Sequence, residues 1–296
     1  MPSYDTPEPI TAVLEFDIGT ARIVAGKQST TVVEVVPSNG AEEIDVKAAE
    51  QTKVTYANGT LTLKGPKKRS VFGKVGSIDV TVELPAGSHL QGNTPMADFT
   101  CEGPFADCRI KTSLGDIRLG DAETVNLRTS HGDIHVGRIT GDAEIQGAGR
   151  IEVGEIQGDA TVKNGNGDTE IGLIRGDATV KNGNGHTEIG EITGRLRANA
   201  ANGRITVDVA HASAEVKSAN GAIRIGEVFR GRIDLRTAVG DIEVGIREST
   251  AAWLDLHTKA GRVENSLGAS TGPGGSDETV EVHAHTSLGD IAVRRA

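Results

Sequence analysis

From residue 115 onward, glycine recurs at an almost constant interval. The spacings are 17, 17, 18, 18, 18, 18 and 19 residues, and the series comprises Gly115, Gly132, Gly149, Gly167, Gly185, Gly203, Gly221 and Gly240. Two further members, Gly261 and Gly289, follow after 21 and 28 residues. Because a repeat this short cannot enclose a core of its own, the series indicates a solenoid whose neighbouring coils bury their apolar faces together.

The residues that follow each glycine alternate between apolar and polar. Ile205 and Val207, after Gly203, are typical: both lie on one side of an extended strand. Further glycines, such as Gly172, and Gly-Asp pairs, such as 176–177, mark more turns, so each coil has short strands on two or three faces. The pattern predicts an all-β, parallel β-solenoid (β-helix) of about 18 residues per coil. We expect right-handed coils, because right-handed connections dominate between parallel strands.

Composition limits both the core and the partners. Aromatic residues make up only 3% of the chain, so the core must consist of Ile, Val, Leu, Ala and Thr, which suit thin β-layers. The formal net charge of −10 argues against binding to nucleic acid or to an anionic membrane. No run approaches about 18 apolar residues, and the Pro-rich segment 1–10 lacks the apolar region of a secretory signal. We therefore expect a cytoplasmic protein without membrane insertion.

The glycines of the series are predicted to be structural. Each must repeat the same tight backbone turn in every coil, and glycine adopts such turns most readily. The residue before the glycine is asparagine in four successive coils, at Asn166, Asn184, Asn202 and Asn220. Because stacked asparagines can hydrogen-bond along a column, we predict an asparagine ladder that stabilises this turn.

The chain before the repeats follows a different pattern. Residues 1–100 lack the glycine period and are predicted to form a β-rich capping region with one short helix at 41–50. Strand-like runs occur there at 12–16, 31–36, 60–64 and 77–84. Residues 101–296 are predicted to form the solenoid, with irregular C-terminal coils and a polar, Gly-rich loop at 268–278. We expect a binding surface in the irregular parts, 251–278 and the first hundred residues, more than at the glycines.

Sequence motifs for catalysis are missing. The chain has no phosphate-binding loop, no G-x-S-x-G, no H-E-x-x-H and no C-x-x-C. The Gly-Asp pairs resemble part of a calcium-binding β-roll, but the Asp column is interrupted by Arg150, His186 and Arg204. We therefore predict no catalytic residue, no metal, no cofactor and no small-molecule ligand.

Histidines and cysteines are the remaining candidates for a metal or redox site. His283 and His285 share one strand face two residues apart, but no third ligand lies nearby in the sequence. Cys101 and Cys108 are expected to be reduced structural thiols, with a single local disulfide as the alternative.

The repeat unit resembles that of a known bacterial family. The pattern N-G-x-I-x-V-G-x-I-x-G-D-A-x-V is approximated at 166–180 and at 184–198, and segment 76–89 contains a strand followed by Pro-Ala-Gly-Ser. These passages are similar to the β-strand-repeat family of "putative adhesins", a domain-of-unknown-function family, over roughly residues 10–293. The resemblance implies a β-solenoid with an adhesin-like or envelope-stress-associated role, and it implies no catalytic residues.

Three functions fit these patterns. The leading hypothesis is a non-enzymatic scaffold or interaction module that binds a protein partner or a second copy of itself through its faces or strand edges. A bactofilin-like cytoskeletal scaffold that polymerises end to end is the first alternative. A carbohydrate-active β-helix enzyme, either a polysaccharide lyase or a hydrolase, is the second. Such enzymes use longer coils with protruding loops, for which the constant spacing from Gly149 to Gly221 leaves no room.

Overall fold

The computed structural model describes residues 2–66, 75–268 and 278–296. Strands account for 71% of the described residues and helix for 3%, and the strands form a β-solenoid, which confirms the predicted fold class. The chain divides into two compact units, Met1–Ala148 and Gly149–Ala296, while the predicted boundary near residue 100 stays a prediction. The loop predicted at 268–278 lies, apart from its first and last residues, outside the described residues.

The first unit combines parallel coils with antiparallel strands. The described elements are β1 (Ser3–Asp5), β2 (Thr11–Glu15), β3 (Ile18–Gly26), β4 (Thr30–Pro37), α1 (Glu43–Gln51), β5 (Lys53–Ala57), β6 (Thr60–Lys64), β7 (Ser77–Pro85), β8 (His89–Leu114), β9 (Ile117–His131), β10 (Ile134–Ile139) and β11 (Ala143–Gly147). Antiparallel pairs join β1 to β4, β4 to β7 and β5 to β6. Parallel pairs join β3 to β7 and β8, β2 to β6 and β8, β8 to β9, and β9 to β10 and β11.

The helix predicted at 41–50 is α1. Its buried Asp45 accepts hydrogen bonds from the backbone N–H groups of Ser77, at 2.8 Å, and Asn39, at 3.2 Å. The bond from Ser77 holds the helix against the start of β7, and the bond from Asn39 holds the chain that leads into the helix. No helix in the described part of the chain is long and apolar enough to cross a membrane.

The second unit consists of stacked coils with two strands each. Its described strands are β12 (Ile151–Ile156), β13 (Ala160–Asn164), β14 (Thr169–Ile174), β15 (Ala178–Asn184), β16 (Thr187–Ile192), β17 (Leu196–Asn202), β18 (Ile205–Ala210), β19 (Ala214–Asn220), β20 (Ile223–Val228), β21 (Gly231–Val239), β22 (Ile242–Ile246), β23 (Thr250–Ala260), β24 (Val263–Asn265), β25 (Glu278–Leu288) and β26 (Ile291–Arg295). From β12 to β22, equivalent strands of successive coils pair in parallel. Their inward side chains form the core; Ile205, Val207 and Val216 are fully buried.

Close stacking of the coils explains why glycine is required at the corners. Gly185 has φ +131°, and a Cβ added there would lie 2.2 Å from the carbonyl oxygen of Gly167 in the preceding coil. The sequence pattern predicted a turn at the second repeated glycine of each coil. In the structure the strand continues through this position, because Gly172 lies inside β14. A Cβ on Gly172 would lie 2.5 Å from the carbonyl oxygen of Gly154. Both positions therefore accommodate the backbone of the neighbouring coil.

The last coils are stacked in an order that differs from the order of the sequence. β21 pairs with β25, and β25 pairs in turn with β23. On the other face, β22 pairs with β26, and β26 with β24. The segment β25–β26 thus lies between β21–β22 and β23–β24 in the stack, although it follows both in the sequence. We call β23 and β24 the terminal coil.

Candidate functional site

The predicted asparagine ladder connects three of its four members by side-chain hydrogen bonds. Asn202 Nδ2 donates to Asn184 Oδ1 at 2.8 Å, and Asn220 Nδ2 donates to Asn202 Oδ1 at 3.0 Å. Asn166 contributes its backbone N–H, which donates to Asn164 Oδ1 at 3.3 Å. The three side chains form an exposed column at the corner, where their bonds join neighbouring coils.

A second polar column, which the sequence reasoning missed, lies inside the coils. Asn164 and Asn182 are each only 4% exposed. Asn164 Nδ2 donates to the carbonyl of Gly149 at 2.9 Å, and Asn182 Nδ2 donates to that of Gly167 at 3.1 Å. The signal was available: a residue three positions before the series glycine is often Asn, Ser or Thr, and the threonines that make the equivalent bond include Thr129, Thr237, Thr258 and Thr286.

The Gly-Asp pairs also have a structural explanation. Asp168 Oδ1 accepts the backbone N–H of His186 at 2.7 Å, and Asp177 Oδ1 accepts that of Arg195 at 2.8 Å. The backbone and side chain of Arg195 lower the pKa of the Asp177 carboxyl. These carboxylates therefore bind the next coil. Among the described residues, no three His, Cys, Asp or Glu side chains are grouped so that they could hold a metal ion.

The outer face of the second unit has a shallow depression of about 460 Å³ lined by arginines and carboxylates. Arg197 Nε lies 3.0 Å from Glu215, Arg232 Nε lies 2.8 Å from Asp234, and Arg195 pairs with Asp177. Because each arginine already contacts a carboxylate, the depression has no concentration of unpaired positive charge for an anionic ligand.

The two cysteines of the first unit are free thiols in the interior. Cys101 and Cys108 are both buried and reduced. Burial raises the pKa of both thiols. Reactive cysteines are exposed and have a lowered pKa, so these two side chains act as small apolar residues.

The terminal coil differs from the rest of the second unit in its exposed apolar layer. Val282 and Ala284 of β25 are fully buried, whereas the paired residues Leu254 and Leu256 of β23 are only half-buried. Val263 of β24 is 47% exposed. Within the described ranges, no strand pairs with the far edge of β23 or β24. The terminal coil therefore presents both apolar side chains and an open strand edge.

The outer face of β23 carries a row of aromatic and ionisable side chains. Trp253, Asp255, His257 and Lys259 alternate with the inward-facing residues, and Trp253 is 57% exposed. The Trp253 ring lies 5.2 Å from the ring of His283, between ring centroids. This row combines an aromatic ring with both signs of charge.

His283 connects this row to β25. Its Nε2 lies 2.7 Å from Glu281 Oε1, and its Nδ1 lies 3.2 Å from Asp255 Oδ2. The hydrogen bond to Glu281, together with that to Asp255, raises the pKa of His283. His285, the neighbour of His283 on the same face, lies 5.9 Å from His257 between ring centroids. Both ring nitrogens of His283 are thus occupied by carboxylates of the protein.

The repeat sequence is matched by a family model described as Toastrack DUF4097, over residues 22–294. The chain belongs to this family. The match confirms the resemblance found in the repeat sequence and includes the terminal coil.

Two solved structures are similar to this Toastrack chain. One is a "putative cell adhesion protein" from Clostridium sporogenes ATCC 15579, with 11% identity, a TM-score of 0.19, and coverage of 99% of this chain and 94% of that one. The other is a "putative adhesin" from Bacteroides fragilis NCTC 9343, with 11% identity, a TM-score of 0.27, and coverage of 100% and 95%. No curated protein matches the chain.

Proposed function

We propose that this Toastrack solenoid is a non-enzymatic, adhesin-like interaction module that binds a protein chain along the open edge of the terminal coil. The observation that most supports the proposal is the half-buried apolar layer beside the unpaired edge of β23 in the described structure. Unpaired strand edges bind extended peptide segments by adding a strand to the sheet.

The energetics favour a protein partner. An added strand would satisfy the open backbone groups of β23 and cover the exposed sides of Leu254 and Leu256. Completing the burial of such side chains contributes on the order of 1 kcal/mol each. The net charge of −10 supports a protein surface over nucleic acid as the partner.

We also propose that the protein is located in the cytoplasm and has an envelope-stress-associated role.

Two features favour this function over the alternatives. The ionisable groups of the outer depression are paired with one another on an open surface, whereas a glycosidase needs a carboxylic acid in a desolvated cleft. The antiparallel strands β1, β4 and β5 of the first unit favour a capped solenoid over a bactofilin-like polymer, because strands of mixed direction interrupt the stacking of parallel coils.

Site-specific photo-crosslinking in the producing cells tests the proposal. A photoreactive phenylalanine replaces Trp253 in the full-length chain, and a matched control replaces Val239, an exposed residue of β21. Crosslinked products are then identified by mass spectrometry. We expect discrete protein adducts from position 253, at least several times more abundant than those from position 239. Equal labelling at both positions, or none at either, would contradict the proposal.

A further inference from the structure

We propose that the partner at this edge is a second copy of the chain, and that two β23 strands pair antiparallel about a two-fold axis at Leu256. This inference rests on the proposed function and specifies its partner. Closed dimers place the same surface of each subunit on both sides of the interface. A two-fold axis across a strand edge therefore requires a strand whose sequence complements its own reverse.

The backbone of β23 determines which residues can pair. The carbonyl of Ala260 accepts the N–H of Gly289 at 3.0 Å, so the even-numbered residues of β23 direct their backbone groups toward β25. Successive residues of a strand point in opposite directions, and the odd-numbered residues therefore direct their N–H and C=O groups to the open edge. In an antiparallel dimer, odd-numbered residues must then pair with odd-numbered residues.

One register makes the outer row of β23 complementary to itself. With Leu256 on the axis, Asp255 faces His257 of the second copy, and Trp253 faces Lys259 of that copy. Both contacts occur twice in the dimer. A carboxylate can accept a hydrogen bond from a facing imidazole N–H, and cation–aromatic pairs across neighbouring strands are favourable. A shift of the axis to Asp255 would place the two Asp255 carboxylates directly opposite each other, which is unfavourable. A shift to His257 would place the two His257 side chains opposite each other and would remove the contact between Trp253 and Lys259.

The charges on the neighbouring strands support the same register. Arg236, His285 and His257 lie side by side on neighbouring strands. They form a column of three basic side chains, and His257 is the member at the open edge. Asp255 lies beside His283, which lies beside Asp234. Antiparallel pairing brings an acidic group to the end of the basic column and a basic group to the end of the column that terminates in Asp255.

The inner face is covered by the same arrangement. Leu256 meets its own copy on the axis, and Leu254 faces Thr258 of the second copy. The half-buried layer of the terminal coil thereby becomes an interior layer, as in the other coils. The dimer removes both the exposed apolar surface and the unpaired backbone groups.

Engineered disulfides test the register directly. Residues on the two-fold axis form a non-hydrogen-bonded antiparallel pair, with Cα atoms about 4.5 Å apart, which is within the range that a disulfide spans. The full-length variant Leu256→Cys should give a covalent dimer on oxidation. In the matched variant Leu254→Cys, the two thiols are offset by four residues, roughly 14 Å, and the chain should stay monomeric on a non-reducing gel. A dimer from Leu254→Cys, or none from Leu256→Cys, would overturn the register.

A charge variant supplies a second test that keeps the fold intact. In His257→Asp the new carboxylate can pair with His285 of its own chain, but it faces Asp255 of the second copy. Sedimentation equilibrium should show a wild-type dimer at micromolar concentration and an association about tenfold weaker for the variant. A monomeric wild-type chain would overturn the inference, and so would an unchanged association constant.

The two proposals fail in different ways. Crosslinks from position 253 to another protein, with a monomeric purified chain, would reject self-pairing and keep the edge as a binding site. Crosslinks between two copies of the chain support both proposals. The absence of any enriched crosslink from position 253 would reject both.

Discussion

The middle coils and the terminal coil of the second unit are built from the same repeat but have different surroundings. In β18 to β21, the inward Ile205, Val207 and Leu235 are fully buried between two neighbours. In β23, Leu254 and Leu256 have a described neighbour on one side only. The repeat sequence therefore specifies a layer, and position in the stack decides whether that layer is interior or surface. Stability should be concentrated in the middle and interaction at the end.

The largest effect is expected at a corner glycine in the middle of the stack. Gly185→Val places a side chain where a Cβ would lie 2.2 Å from the carbonyl of Gly167, at a φ of +131°. We expect a loss of more than about 3 kcal/mol in unfolding free energy, or an insoluble chain. Gly268→Val is the matched control, since a Cβ there meets nothing within 4 Å. If chemical denaturation found the two variants equally stable, the requirement for glycine at the corner would be contradicted.

Truncating an apolar side chain should give the next largest effect. Ile205→Ala removes a fully buried side chain between two coils and should lower the unfolding free energy by about 3 kcal/mol. Leu256→Ala removes a half-buried one and should cost about 1 kcal/mol in the monomer. Thermal and chemical denaturation measure both. Equal losses would show that the terminal layer is as well packed as the middle.

Substitution in the buried asparagine column should lower the unfolding free energy more than substitution in the exposed ladder. Asn182→Ala leaves the carbonyl of Gly167 without its bond from the buried amide, at a cost of about 2 kcal/mol. Asn202→Ala removes exposed bonds of the outer ladder and should cost less than about 1 kcal/mol. A larger loss in Asn202→Ala, measured by the same denaturation, would make the outer ladder the more important column.

The smallest effect concerns pH and is confined to the terminal coil. Because the bonds to Glu281 and Asp255 raise the pKa of His283 above its usual 6.5, protonated His283 stabilises the coil fully below about pH 6.5. This contribution is lost as the pH rises through the raised pKa. The facing groups include Asp234 and Arg232 of β21 and the Trp253 ring. Hydrogen exchange of the β23 amides, corrected for intrinsic rates, should show less protection at pH 8 than at pH 6.

Substitution of the histidine separates this effect from general pH dependence. His283→Gln should give the same protection of β23 at both pH values. His89→Gln in the first unit should keep the wild-type difference. If protection of β23 in the wild-type chain increases with pH, the assigned role of His283 is wrong.

The fold was predictable from the sequence because its requirements are local and repeated. Gly203, Ile205 and Val207 show the turn and the inward alternation within five residues, and the same spacing then fixes the register of every coil. The buried column at Asn182 was also visible in the sequence, but the conspicuous Asn-Gly pairs directed the prediction to Asn184, two residues further along the chain. Inserting β25–β26 beneath the terminal coil was not predictable, since pairing between distant strands depends on contacts that no local pattern encodes.

The insertion of β25–β26 beneath β23–β24 also affects the order of events during synthesis. A solenoid stacked in sequence order can add each coil to a finished surface as the chain emerges. Here the terminal coil leaves the ribosome before the layer on which it must lie. Residues 250–265 therefore either stay unpaired until 278–296 has been synthesised, or first pair with β21 and β22 and are later displaced by 278–296. The proposed binding edge is completed only after residues 278–296 have been translated.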